Sequence, residues 1–267
     1  MPHSFRIREI PGFRYVDEGP VSEKPPVVLL HGMLGAYTNW EETIVELSRQ
    51  RYRVIVPILP IYGMPLYNTT VSALVENVHA FFKAMGFDEV VLIGNSLGGH
   101  ISLLYSIRHP ERVVAQVLCG ASGIYEVEMG TSVFRRRDRD ELRQRAAFTF
   151  YDPQFATNEL VDEIYDIVND RSRALRLIRM ARAVQAESVS EMLGRITAPT
   201  LLVWGRDDRI TPPDVAQVLL DGIPDAQLHF IEACGHAPMM EQPDIFNQHT
   251  LDFLRDVVGA PVLSQAG

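Results

Sequence analysis

The chain has 267 residues and a formal net charge of −9, with 46% hydrophobic and 22% charged residues, proportions expected of a globular protein with one sizeable core or a core carrying an insertion. The acidic balance argues against a nucleic-acid partner and against docking on an anionic membrane surface. No apolar run approaches the ~20 residues of a bilayer span, and the opening "MPHSFRIREIPGFRYVDEGP" lacks the apolar stretch of a secretory signal, so a cytoplasmic location is the expectation.

Short aliphatic runs alternate with longer amphipathic stretches. "PPVVLLHG" (25–32) and "YRVIVPILP" (52–60) read as buried strands, because near-continuous Val/Ile/Leu marks strands covered on both faces. Residues 71–85 then place Leu74, Val78, Phe81, Phe82 and Met85 on one helical face. The strand "DEVVLIGNS" (88–96) leads into a helix over 97–108, with Leu97, Ile101, Leu104 and Ile107 on one side, and "RVVAQVLCG" (112–120) follows as a further strand. Strand–helix alternation of this kind predicts a mostly parallel sheet covered on both sides.

Residues 124–197 break the rhythm and contain no convincing strand. Leu160, Ile164, Ile167 and Val168 stand at helical spacing, as do Leu175, Ile178 and Ala181. The segment reads as a helical insertion. It carries 12 arginines against 13 acids, so solvated, salt-bridged helices are expected rather than an anion-binding patch. Strands resume at "APTLLVWG" (198–205) and "AQLHFIEACG" (226–235). The two cysteines, Cys119 and Cys234, lie beside strands and outside any CxxC pair; they read as buried thiols, not as zinc ligands.

The chemistry is concentrated at the ends of these strands. "GNSLGG" (94–99) sets Ser96 between Gly94 and Gly98, after a strand and before a helix. That is the context of a nucleophile elbow, in which a tight turn exposes the serine hydroxyl. Serine needs an adjacent base. Of eight histidines, His236 follows the last strand in "EACGHAPMMEQP" and is the candidate. The base needs an acid to hold its tautomer, and "WGRDDRITPP" (204–213) offers adjoining Asp207 and Asp208. An oxyanion needs two donors: the backbone N–H of Leu97, and one from the loop after "VVLLHG", read as Met33. His31 reads as a hydrogen-bonding support of that loop. Tyr62, Met64 and Tyr67 read equally as pocket lining or as filler. Phe148, Phe150, Tyr151 and Tyr165 are candidates for lining a substrate cavity under the insertion.

With "HGMLG" (31–35), "GNSLGG", "WGRDD" (204–208) and "GHAPMMEQPDIFN" (235–247) together, the chain resembles the alpha/beta-hydrolase superfamily along nearly its whole length. The resemblance implies a mostly parallel, doubly wound α/β sheet formed by 1–123 and 198–267. It also implies a helical cap, 124–197, between strands 6 and 7. In that family the acid stands three residues after the glycine of the "WG" pair, which selects Asp208. Ser96, Asp208 and His236 would act on a small-molecule substrate without metal or organic cofactor. Serine at this position excludes the aspartate-nucleophile chemistry of haloalkane dehalogenases and epoxide hydrolases.

A narrower resemblance is to the carbon–carbon bond hydrolases of aromatic ring cleavage, which share an asparagine before the serine, Asn95 here. Three departures stand against it. Their "HGxGPG" loop is "HGMLGA" here, the residue after the histidine is Ala237 instead of tryptophan, and their cap arginine aligns with Ile164. The sequence reading therefore ranks hydrolysis of a small or medium carboxylic ester first. Carbon–carbon hydrolysis, or a non-catalytic binding protein on the same fold, is the alternative.

Overall fold

The computed structural model describes residues 5–127 and 136–259. Eight strands form one sheet: β1 (Ile7–Ile10), β2 (Phe13–Glu18), β3 (Val27–Leu30), β4 (Val54–Pro57), β5 (Val90–Asn95), β6 (Val113–Cys119), β7 (Thr200–Gly205) and β8 (Ala226–Ile231). Their spatial order is β1-β2-β4-β3-β5-β6-β7-β8. The first two strands are antiparallel to their neighbours, and the remaining pairs are parallel. The six strands expected from the sequence all form, each shorter than its apolar run.

Alternation along the central strands divides the interior into two cores. Val27, Leu29, Val54, Val56, Val91, Ile93, Leu201 and Val203 face one side, where α1 (Glu41–Arg49) and a long C-terminal helix (Pro243–Val258) supply Ile44, Leu47, Phe246 and Leu254. Val28, Leu30, Ile55, Leu92, Leu118 and Leu202 face the other, against α2 (Val71–Met85) and α3 (Leu97–Arg108). Helix α2 matches its expected span because both ends are encoded. The Thr70 hydroxyl accepts from the Ala73 N–H, and Gly86 closes the helix at φ 69°.

Between β6 and β7 the described residues form helices and no strand: α4 (Arg139–Ala147), α5 (Asn158–Asn169) and α6 (Arg171–Ala186), with short 3-10 turns. Residues 128–135 of the expected insertion lie outside the described residues. Helices α4 and α5 share a small core of Leu142, Ala146, Ala156, Val161, Ile164 and Val168. The expected ion pairs form in part. Arg145 pairs with Glu141, and Arg139 with Asp162. In α6, however, Arg176 and Arg179 reach the backbone carbonyls of Met64 and Tyr67. The end of α6 is fastened to α2, α3 and the loop after β6. The Glu187 carboxylate accepts from the N–H groups of Val71 and Ser72, its carbonyl accepts from His100 Nε2 at 2.8 Å, and Val189 donates to the Gly123 carbonyl.

After β7 come α7 (Pro213–Gly222), then β8, then the single-turn α8 (Pro238–Glu241) and the C-terminal helix, α9. Among the described residues no helix is long and apolar enough to cross a membrane. The loops after β3, β5, β6, β7 and β8 all leave the same carboxyl edge of the parallel strands, where ligands bind in open α/β sheets.

Candidate active site

Ser96 is the hinge between β5 and α3, at φ 55° and ψ −121°. A non-glycine residue rarely occupies positive φ, and such strain costs on the order of 1–3 kcal/mol. The surrounding backbone holds it there: its N–H donates to the Cys119 carbonyl at 3.2 Å, and its carbonyl accepts from His100 and Ser122 N–H groups at 3.0 and 3.1 Å. The turn is so tight that a Cβ on Gly94 would lie 2.5 Å from the Gly98 carbonyl oxygen, and one on Gly98 only 1.9 Å from that of Leu30. These two glycines are therefore a packing requirement.

His236 and Asp208 meet from separate strand ends. His236 Nδ1 lies 2.9 Å from Asp208 Oδ2, and both side chains are buried. The other donors to Asp208 come from the turn that follows it. Ile210 and Thr211 N–H groups reach Oδ1 at 2.8 and 3.0 Å, and the Thr211 hydroxyl reaches Oδ2 at 2.9 Å. Trp204 steadies that turn by donating from Nε1 to the Thr211 carbonyl at 2.8 Å. Asp207 contributes its backbone N–H to Cys234 and is not the histidine's partner. With Nδ1–H engaged by the carboxylate, Nε2 is left as the basic nitrogen. Burial alone would depress the His236 pKa. The charge and hydrogen bond of Asp208, aided by the charges of Glu126 and Glu241, outweigh it and the net direction is upward.

The histidine loop is held from two sides. Asn95 Nδ2 donates to the His236 carbonyl at 2.9 Å and to the Cys119 carbonyl at 3.0 Å. On the other side the His236 N–H donates to the Thr149 carbonyl at 2.8 Å. Glu241 receives the N–H groups of Gly235 and Tyr151, at 2.8 and 2.7 Å. Asn95, which suggested carbon–carbon hydrolysis in the sequence, thus spends both amide hydrogens on fixing backbone next to His236. Sequence reasoning missed this role, and also those of Thr211, Trp204 and Glu241; Asn95 and Glu241 reach across loops, whereas Thr211 and Trp204 act within the turn that carries Asp208.

Leu97 opens α3, so its N–H has no acceptor within the helix. The other expected donor, Met33 N–H, belongs to the Gly32–Met33 peptide. The carbonyl of that peptide is held at both lone pairs, by His31 Nδ1 at 2.9 Å and Gly35 N–H at 3.1 Å. His31 Nε2 accepts from the Leu59 N–H at 3.2 Å, which places the ring proton on Nδ1. Burial lowers the His31 pKa, and the ring stays neutral. Tyr62 fixes the next peptide by donating to the Met33 carbonyl at 2.7 Å. Met64 is core, and Tyr67 is exposed. Phe150 is buried against Phe155, and Tyr151 is half-exposed. We expect His31→Ala to lower kcat roughly ten- to hundredfold with little change in KM, because it loosens a donor peptide without removing it. Steady-state kinetics on a soluble ester checks this.

A doubly wound sheet carrying a strained serine elbow and a buried His–Asp pair at one edge defines a class of hydrolase. The profile of the alpha/beta hydrolase family matches residues 27–249, and the chain belongs to that family. It is 32% identical over 253 residues to a 2-hydroxy-6-oxo-6-phenylhexa-2,4-dienoate hydrolase from Burkholderia cepacia, covering 85% of this chain and 87% of the relative. It is 29% identical over 248 residues to a 2-hydroxy-6-oxononadienedioate/2-hydroxy-6-oxononatrienedioate hydrolase from Dechloromonas aromatica, covering 85% and 86%. Among solved structures, MGS-MChE2, an alpha/beta hydrolase from a Mar Chica lagoon sediment metagenome, superposes with a TM-score of 0.77. It is 32% identical, with coverage of 94% of this chain and 98% of that one. The meta-cleavage product hydrolase CumD from Pseudomonas fluorescens IP01 gives a TM-score of 0.78 at 28% identity, covering 92% and 95%.

Proposed function

We propose that this protein is a serine hydrolase of small or medium carboxylic esters that bear no carboxylate of their own. The buried hydrogen bond between His236 and Asp208, beside a serine held at positive φ, carries the reading. Ser96 Oγ attacks the ester carbonyl as His236 Nε2 takes its proton. Asp208 orients the ring and stabilises the imidazolium, and the N–H groups of Leu97 and Met33 receive the oxyanion. His236 returns the proton to the departing alcohol, leaving an acyl group on Ser96. Water, deprotonated by His236, then releases the acid. Residues 124–197 would cap the site. Nothing in this sequence of steps calls for a metal or organic cofactor.

The second reading is carbon–carbon hydrolysis, which the names of the Burkholderia, Dechloromonas and Pseudomonas relatives favour. Ile164 weighs against it. The position aligned with the substrate-binding arginine of that group holds an aliphatic side chain, packed in the core between α4 and α5. A dienoate substrate would bring its carboxylate to a site without that cation.

Turnover of p-nitrophenyl butyrate and of a 2-hydroxy-6-oxodienoate separates the two. We expect ester hydrolysis to exceed the other by orders of magnitude; consumption of the dienoate alone would establish the second reading. The pH profile supplies a further expectation. Only neutral His236 can accept the serine proton, and its pKa is raised. The acid limb of kcat/KM should therefore fall away at a pH above the ordinary histidine value of about 6.5.

A further inference from the structure

Residues 120–127, the loop after β6, run directly past the candidate triad. A Cβ on Gly120 would lie 2.8 Å from His236 Nδ1, so the backbone there is in contact with the imidazole. The Ser122 N–H donates to the Ser96 carbonyl at 3.1 Å. Val127 donates to the Ile210 carbonyl at 2.8 Å, and Ile210 in turn donates to Asp208. The loop is therefore tied at one end to the serine elbow and at the other to the turn that carries the acid. Glu126 stands between the two ties.

The Glu126 side chain is held in place. The hydroxyl of Ser122, itself fully buried, donates to its carboxylate. Its charge is felt at His236 together with those of Asp208 and Glu241. The three carboxylates differ in what else they do. Asp208 is filled by His236, Thr211 and two backbone N–H groups. Glu241 is filled by backbone N–H groups. Among the described residues, the donor to Glu126 is the single Ser122 hydroxyl. A carboxylate accepts about four hydrogen bonds, so with respect to the described residues Glu126 retains acceptor capacity. Neighbouring Arg209 lies over the Phe148 ring, 5.6 Å from its centroid. Burial pushes the pKa values of the Cys119 and Cys234 thiols upward, and both stay neutral.

From this placement we infer that Glu126 is the specificity-determining residue of the site. It excludes substrates that bring a carboxylate alongside the triad and favours esters that are neutral there or carry an ammonium or another hydrogen-bond donor. The inference rests on the serine-hydrolase reading and deepens it. It predicts a site opposite in sign to one built around an arginine for a dicarboxylate or keto-acid. A like charge held near the bound substrate acts on binding and transition state alike, so the effect belongs in kcat/KM. One such charge, partly screened by solvent, is worth about tenfold.

The test uses three p-nitrophenyl esters of equal reach, too long for the free carboxylate to attack its own ester: hexanoate, the monoester of adipate, and 5-(trimethylammonio)pentanoate. In the wild type we expect kcat/KM to fall in the order cationic, neutral, anionic, with the adipate monoester at least about tenfold below the hexanoate. Glu126→Gln should raise the adipate-to-hexanoate ratio about tenfold and reduce the advantage of the cation. Glu126→Asp should keep the wild-type order. The same substitution removes one of the charges raising His236, so the acid limb of fluorophosphonate labelling should move to lower pH in Glu126→Gln.

A purely structural Glu126, bracing its loop through Ser122, would lower all three esters together and leave the charge ratio and the labelling limb unmoved; that result overturns the inference. Neutral and carboxylate-bearing fluorophosphonates give the same ratio without ester turnover. A wild type that is labelled but hydrolyses no ester therefore refutes the ester reading while Glu126 is still decided by the labelling ratio. A folded wild type that is neither labelled nor active overturns the serine-hydrolase reading, and this inference with it.

Discussion

Ser96→Ala should abolish measurable ester turnover, with kcat reduced by about 10⁴–10⁶, and should eliminate fluorophosphonate labelling. Asp208→Asn should lower kcat about 10⁴-fold, because an amide can hold the imidazole in the wrong tautomer. Adding either change to His236→Ala should cost little more than His236→Ala alone, since the three groups act as a unit and losses within a unit do not add. Undiminished turnover in Ser96→Ala, after active-site titration has excluded wild-type carry-over, would refute the assignment. The elbow adds an expectation about stability. Alanine at position 96 inherits the positive φ that serine has there, whereas glycine takes it freely. Ser96→Gly should match Ser96→Ala in inactivity, yet unfold with about 1 kcal/mol more stability, reduced by glycine's greater unfolded-state entropy. Chemical denaturation of the two inactive variants measures the strain that the protein maintains at this one residue.

Much of this architecture is legible in the sequence, and the reason is particular. β3 and β5 are buried on both faces, so every residue must be apolar, and "VVLL" or "VVLIG" announces them. Helix α2 carries its own start and stop residues, Thr70 and Gly86. By contrast, β1 and β2 are not evident: "IREI", at the edge of the sheet, and "FRYVDE", next to it, are short and partly exposed, and their alternation is too brief to separate from a loop. Strand β8 is legible despite its half-exposed face, but it ends at Ile231, four residues before the glycine at which the expected run, 226–235, stops.

The candidate site divides the same way. Ser96, Asp208 and His236 are announced by the residues flanking them, and the geometry brings Asp208 and His236 into contact while leaving Asp207 outside. The groups that support them are silent in the sequence. Asn95 holds the His236 carbonyl and Glu241 the Tyr151 N–H, each far along the chain, and Glu126 has no motif at all. Its significance arises only when β6 delivers the loop 120–127 between the elbow and the acid turn. Residues that do chemistry constrain their own neighbours, whereas residues that hold or discriminate are defined by the three-dimensional arrangement.

Gly98→Ala should be the most destructive single-methyl change in the described chain. Its added carbon would lie 1.9 Å from the Leu30 carbonyl oxygen and 2.4 Å from the carbonyl carbon. Both are backbone atoms of the central strand β3, which pairs with β4 and β5. No side chain can rotate away to make room. Relief requires α3 to lift off the sheet, and α3 is buried along nearly its whole length, from Leu97 to Ile107. Overpacking of this kind commonly costs 1–3 kcal/mol where side chains can adjust; with rigid backbone on both sides we expect upwards of about 3 kcal/mol. For a chain of this size that corresponds to a fall in Tm of roughly 10 °C. The control is Gly194→Ala, where the added carbon meets nothing within 4 Å and stability should change by less than about 0.5 kcal/mol. The displacement has a functional consequence, because lifting the start of α3 moves the Leu97 N–H away from Met33. Any Gly98→Ala protein that still folds should therefore lose kcat by about 10²-fold or more, at a temperature well below its own melting point. A variant with wild-type Tm and wild-type kcat would show that the elbow has slack that the geometry denies.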